Sequence, residues 1–358
     1  MSKYEKLLRY RPENVEKKLK GSKLLLINSK PIFQAFIDLP VIVMVCNCRI
    51  RHVIPGILRA AKELDAIVGF ELAKSEGGVD GGYTGQTPEI YFNTIVEYAE
   101  EMNYDLPFII HGDHITVTDT SEKKINEARE LISAEIAAGY SSFAIDASHN
   151  EMEDNVRITV ELAKPIMDLG IGLEVEVGEI KLVKEGGALT TVEEGYGFIK
   201  AVTEKGIEPV LLATNNGSKH GNYAPGEEVH IDLKRTGEIF KAIRPFGVAI
   251  AQHGITGTPL NLIGQFADYG IRKGNVGTEW QNIAHKYLPQ DLMSAMKKWC
   301  EENKKDIKFA TKPFKKEIDS IPDKNKQQIA DEAYARAKEF IVAFRAKGTA
   351  SKLVEMVK

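Results

Sequence analysis

The chain has 358 residues, 43% hydrophobic and 27% charged, with a net charge of −4 and a pI near 6.1. That is globular composition, neither disordered nor fibrous, and it carries no field that would draw it to nucleic acid or an anionic membrane. No apolar run approaches the ~20 residues of a membrane helix, and the N-terminal stretch "MSKYEKLLRYRPENVEKKLKG" lacks the apolar core of a signal peptide. Cys46, Cys48 and Cys300 form no disulfide framework or paired zinc spacing. These absences point to a cytoplasmic protein.

Residues 1–35 read as a helical lead-in. Then apolar runs of strand length recur at 41–46, 66–72, 107–111, 141–147, 171–177, 209–214, 247–252 and 271–276. Continuous apolar runs suit parallel strands covered on both faces. The last run is the weakest, because Arg272 and Lys273 interrupt it. Amphipathic segments lie between. The stretch 121–139 opens on Ser121 and stops at Gly139; 151–170 carries Pro165, which is expected to kink or split it; 190–206 opens on threonines with acidic residues in the first turn. Eight strands alternating with helices over about 250 residues is the count of an α/β (β/α)8 TIM barrel. The rival, a doubly wound open sheet, normally announces a glycine-rich phosphate loop after an early strand, and none is present. The expectation is one barrel domain over 1–358, with a core of about 36–282 and C-terminal helices over 283–358. In the last of these, Ile329, Ala333, Phe340 and Phe344 make one apolar stripe, for the barrel wall or for a dimer contact.

Active sites of this fold sit at the C-terminal ends of the strands. Five of the eight histidines fall there. The first two strands end near Asn47 and Ser75, and the third in "HGDH", with His111, Asp113 and His114. The fourth ends in Asp146, Ser148 and His149; the fifth carries Glu174 and Glu176; the sixth leads to His220, the seventh to His253, and the eighth to Asn275, Gly277 and Thr278. A single histidine in such a place is ordinarily a packed one. Three from separate strand ends, His114, His220 and His253, can converge on a divalent metal with a position left open. Imidazole ligands suit zinc, cobalt, iron or nickel. Glu174 and Glu176 share one side of their strand. A carboxylate facing a barrel interior is costly unless it is ion-paired or metal-bound, and both readings stand. Glycines at 220–226, 253–257 and 274–278 bring backbone amides to the last three loops, where this fold often holds phosphate.

Taken together, these segments resemble the class II, metal-dependent fructose-bisphosphate/tagatose-bisphosphate aldolase family over roughly residues 30–285. "HGDH" resembles its H-x-D-H motif, "FAIDASHNEMEDNV" its D-x-S-H…E-N segment and "LEVEVGEI" its E-x-E-x-G strand. "SKHGNYAPG", "AQHGITG" and "GNVGTE" resemble its histidine-glycine-x-tyrosine loop, its H-G-G-S-G and its N-x-D-T-D elements. The resemblance implies cleavage of a ketose phosphate to dihydroxyacetone phosphate and an aldehyde through an enediolate. It implies a divalent metal, zinc foremost, with a monovalent cation as an optional companion. His114, His220 and His253 would hold the metal, with Glu176 as a further ligand. Asp113 would be the acid/base at the C4 oxygen, and Asn275 would contact substrate. Gly221, Gly254, Thr256 and Thr278 would hold the phosphate, and Asn47 and Ser75 would line the pocket. The partner would be a small sugar phosphate, with no nucleic acid or membrane, in a homodimer or homotetramer.

Three departures stand out. The family's mobile glutamate follows the fifth strand in G-G-x-E-D; here the loop reads "GEIKLVKEGGALTT", and Glu179 or Glu185 is the candidate. The aspartate between Asn275 and Thr278 is Gly277, and the second glycine of H-G-G-S-G is Ile255. That lost carboxylate lies near the carbon that separates fructose from tagatose. The alternatives are therefore a related aldolase or C4-epimerase with another substrate, or a non-catalytic partner of an aldolase.

Overall fold

The computed structural model describes residues 3–178, 188–219, 221–224 and 226–357. Eight parallel strands close into a barrel in sequence order: β1 (Val43–Asn47), β2 (Val68–Ala73), β3 (Phe108–Thr116), β4 (Ser142–Asp146), β5 (Gly172–Val177), β6 (Leu211–Thr214), β7 (Ala249–Gln252) and β8 (Ile271–Val276). β1 closes the ring on β8, with Val45 opposite Asn275. This is the expected (β/α)8 architecture. All eight expected strands are present, their ends displaced by a few residues.

β3 departs most, running to Thr116 rather than stopping at His111. Its register against β4 explains the extra length. Gly112 pairs with Phe143 and Ile115 with Ile145, so Asp113 and His114 together face Ala144. This is a β-bulge, which bends the strand and re-aims its side chains. His114 carries the strain, with φ +41 in the left-handed region. A Cβ on Gly112 would lie 2.1 Å from Glu135 Oε2 on the covering helix, so a side chain there would displace that buried carboxyl.

The helices follow their local signals. Glu122–Ala138 is capped by Ser121, whose hydroxyl accepts from Lys124 N, and it ends at Gly139 with φ +107. Val192–Glu204 starts in a capping box: Glu194 N donates to Thr191 Oγ1 at 3.1 Å, and Thr191 N to Glu194 Oε2 at 2.7 Å. Pro165 does not split its segment, since Met152–Asp168 runs through it as one helix. The proline sits in the last turn, so it removes one bond near an end that would fray anyway.

The N-terminal segment closes the floor of the barrel. Leu26 bridges to Phe108, and Ser29 N donates to Ser141 O. At the other terminus, helix Asp323–Ala343 packs on helix Ile54–Leu64. The contact is close enough that a Cβ on Gly56 would lie 2.1 Å from Ala330 O. Ile329, Ala333, Phe340 and Phe344 are fully buried there, so the stripe covers the barrel wall. Among the described residues no helix is long and apolar enough to cross a membrane.

Candidate active site

The barrel interior is unusually polar. Glu71 (β2), His111 (β3), Glu174 (β5) and Lys273 (β8) are fully buried. Lys273 meets Glu71 and Glu174 across strands that are not neighbours, which is possible only inside the ring. Lys273 Nζ lies 2.9 Å from Glu174 Oε2 and 3.2 Å from Glu71 Oε2. Burial opposes charge on Glu174, but Lys273 and His253 outweigh it and hold the carboxyl well below its usual range. Burial and Asp113 push the Glu71 carboxyl well up. Burial and Lys273 bring His111 down to about 3, so it stays neutral, its Nδ1 2.7 Å from Ser142 Oγ. One ionised glutamate thus balances one ammonium, which keeps this layer tolerable in a low-dielectric core.

The floor of the cleft lies directly above. His253, at the end of β7, places Nε2 2.7 Å from Glu174 Oε1. An ionised carboxylate accepts only, so Nε2 carries the hydrogen and Nδ1 points onward. His253 Nδ1 stands 2.6 Å from His114 Nε2, and the rings cross at 83°. His114 turns its other nitrogen, Nδ1, to Glu176 Oε2 at 3.2 Å and Asp146 Oδ2 at 3.4 Å. Each imidazole is therefore oriented from behind by a carboxylate, the arrangement that backs metal-ligating histidines. Burial disfavours charge on His114, yet Asp113 and Glu176 overcome it and raise the imidazole well above its usual range. A locus that electronegative suits a cation. Ligand atoms of Asp113, His114 and His253 lie within 4.8 Å of one another, as do those of His114, Asp146 and Glu176. Nitrogen and carboxylate donors in that number fit a divalent metal of the zinc type.

Asp113 is held from two sides. Asn275 Nδ2 donates to its Oδ1 at 3.0 Å and Asn47 Nδ2 to its Oδ2 at 3.1 Å. Burial works against ionisation, but His114 and Lys273 prevail, and Asp113 titrates at about 2. It is a carboxylate at neutral pH.

These groups form the base of a cleft of about 1110 Å³. Asn47, Ser75, Gly221, Gly254, Thr256, Asn275 and Thr278 all line it. Gly254 needs its left-handed φ of +67, and a Cβ there would lie 2.4 Å from Lys219 O. Thr256 Oγ1 accepts from Glu279 N at 3.1 Å, in the first turn of helix Thr278–Tyr287, whose amino end opens on the cleft. An amino end with glycine loops beside it is suited to an anion. His220, Glu179 and Glu185 lie outside the described residues.

Four groups here had no place in the sequence-based expectation. Lys273 and Glu71 build the layer beneath; the signal was Lys273 itself, a charge in the middle of a strand-length run. Arg49 and Glu76 build the β1–β2 wall. Arg49 Nε and Nη2 lie 2.8 and 2.6 Å from Glu76 Oε1, and Glu76 also accepts from Asn47 Nδ2 at 3.0 Å. No local pattern links those two loops.

The profile of the family described as class-II fructose-bisphosphate aldolase matches residues 28–348. The chain belongs to that family. It is a class II aldolase, a carbon–carbon lyase. Among curated relatives, fructose-bisphosphate aldolase of Streptococcus pneumoniae is 30% identical over 230 residues, 63% of this chain and 70% of that protein. The Staphylococcus epidermidis enzyme of the same name is 31% identical over 210 residues, 56% and 66% of the two chains. Two solved structures share the fold. The YdjI aldolase of Escherichia coli K12 aligns at TM-score 0.64 with 19% identity, covering 91% of this chain and 99% of its own. The Campylobacter jejuni fructose-bisphosphate aldolase aligns at 0.65 with 17% identity, covering 90% and 96%.

Proposed function

We propose that this class II aldolase cleaves and forms a ketose phosphate, giving dihydroxyacetone phosphate and an aldehyde. The observation that carries the reading is the placement of Asp113. An ionised carboxylate clamped by two amides stands beside two histidines, each backed by its own carboxylate. His114 and His253, with His220, would hold a divalent metal, most simply zinc; Glu176, the further ligand that the resemblance implies, stands behind His114 at Nδ1 as its outer partner. When bound, the metal supplies Lewis-acid stabilisation of the enediolate charge that carbon–carbon cleavage leaves. Asp113 accepts the proton of the C4 hydroxyl in cleavage and returns it in condensation. Asn275 and Asn47 hold the carboxylate in that orientation. Backbone amides at Gly221 and Gly254, with Thr256 and Thr278 at the helix amino end, receive the ketone's phosphate. Ser75 lines the aldehyde side, and Glu179 or Glu185 removes the carbon-bound proton from dihydroxyacetone phosphate in the condensation direction. Two amides spent on orienting Asp113 argue against a non-catalytic partner. All three cysteines are free and buried, which supports a reducing cytoplasmic setting.

One feature favours a substrate other than fructose or tagatose bisphosphate. A Cβ at Gly277 would lie 3.0 Å from Arg49 Nη2 and 3.1 Å from Asn47 Oδ1. Where the family carries an aspartate, this chain has a guanidinium. A wall that elsewhere accepts hydrogen bonds from substrate here donates them, which changes the aldehyde half and leaves the ketone half intact.

The test is bound-metal analysis of purified protein, with cleavage of both bisphosphates assayed with and without chelator. Stoichiometric metal and chelator-sensitive cleavage are expected. Protein without metal rejects the reading altogether. Metal without cleavage of either bisphosphate selects another sugar phosphate.

A further inference from the structure

Lys273 has no exposed surface and does not itself line the cleft, yet two paths lead from it to the cleft's base, one of hydrogen bonds and one that begins with an ion pair. Along the first, Lys273 Nζ donates to Asn275 Oδ1 at 2.8 Å, and Asn275 Nδ2 donates to Asp113 Oδ1 at 3.0 Å. Along the second, the same Nζ meets Glu174 Oε2 at 2.9 Å, and Glu174 Oε1 receives His253 Nε2 at 2.7 Å.

Each path fixes an orientation that would otherwise be two-fold. An asparagine amide can present oxygen or nitrogen to Asp113, and only the nitrogen suits a carboxylate. An ammonium has donors and no acceptor, so by holding Oδ1 it turns Nδ2 to Asp113. Glu174 is set likewise: with Oε2 on the ammonium, Oε1 remains for His253, which places the hydrogen on Nε2 and leaves Nδ1 toward His114. Glu71 leans on the same ammonium at 3.2 Å from the far side and keeps it from sliding toward either path.

We propose that Lys273 is a positioning residue that couples the proton-transfer carboxylate Asp113 to the metal-holding His253, orienting both through one buried ammonium. This rests on the roles assigned above to those two residues.

The variant to measure is Lys273→Met, which keeps length and apolar bulk but has no donor. Zinc affinity is read by chelator competition, and kcat and KM at saturating zinc. Loss of an outer partner of a metal ligand weakens binding about 10–100-fold. Misorientation of the acid lowers kcat by on the order of 10²-fold with KM nearly unchanged. Both changes together are expected. A folded variant in which only one of them moves, or neither, overturns the coupling. If Lys273→Met does not fold, Glu174→Gln replaces it. That variant removes the ammonium's counter-charge while leaving Lys273 and Asn275 in place. Here zinc affinity is expected to fall about 10–100-fold through the His253 path while kcat at saturating zinc holds, because Lys273 and Asn275 still orient Asp113; unchanged affinity, or a kcat that falls with Lys273 and Asn275 intact, overturns the proposal. The zinc titration needs no substrate, so inactivity of the wild-type enzyme on both bisphosphates counts against the functional reading alone.

Discussion

The two sides of the cleft are built differently. On the β3, β5 and β7 side, His114, His253, Glu174 and Glu176 form one connected set, with Asp113 beside them held by Asn47 and Asn275. On the β1–β2 side, Arg49 and Glu76 pair with each other, and Gly277 makes room for the guanidinium. The first side has the residue types of the family's motifs; the second does not. The difference separates two tasks. Handling charge and a proton at the bond being broken demands fixed chemistry. Choosing the aldehyde demands only a complementary wall, which can be exchanged without disturbing the rest.

That contrast can be broken most severely at His114. His114→Ala is expected to lose stoichiometric metal and with it all measurable turnover, read by metal analysis and a cleavage assay; full metal content would refute the ligand assignment. Next comes Asp113→Asn, which keeps the shape and removes the base. It should lower kcat by about 10²–10⁴-fold with metal retained, and loss of metal in step with activity would show that Asp113 serves as a ligand instead.

The opposite wall should behave as a specificity element. Gly277→Asp alone sets a carboxylate against the Arg49 guanidinium, which pairs with it and withholds it from substrate, and should lower kcat/KM. Adding Arg49→Val removes the competing cation, and the pair should couple by about 0.5–3 kcal/mol in a double-mutant cycle on fructose bisphosphate cleavage. Strict additivity would show that Arg49 and Gly277 do not share a function.

The smallest effect concerns His111, the other histidine of "HGDH". Folded, it titrates at about 3 against an ordinary 6.5. The unfolded chain therefore binds a proton between those values that the folded chain refuses, and stability falls as pH drops below about 6.5. His111→Gln should flatten that slope by up to one proton, about 1.4 kcal/mol per pH unit. Denaturant unfolding at pH 7 and pH 5 reads it, and an unchanged slope would show that His111 takes up its proton while folded.

The histidines, Asp113, Glu176 and Asn275 could be found by eye because strand ends in this barrel point to one face, so a list of residues at strand ends is also a list of neighbours. The same rule pointed to the glycine loops proposed to receive phosphate. It could not divide the work between Glu174 and Glu176. Alternation puts them on one side, and the strand cannot say that one lies a layer deeper, against Lys273, while the other reaches His114. Lys273 was visible as a charge in a strand and counted against the strand; its meaning needed two carboxylates from β2 and β5. Arg49 and Glu76 carried no signal because loops after different strands have no shared period.

By itself, then, the sequence determined the barrel, the order of its strands and the face that carries the chemistry, since these follow from local hydrophobic period and capping residues acting over a few positions. Only the tertiary structure decided which carboxylate backs which histidine, that Asp113 and His114 ride a bulge, and that a guanidinium fills the space beside Gly277. Those are contacts between residues dozens to hundreds of positions apart, set by closure of the ring and by the need of every buried charge for a partner.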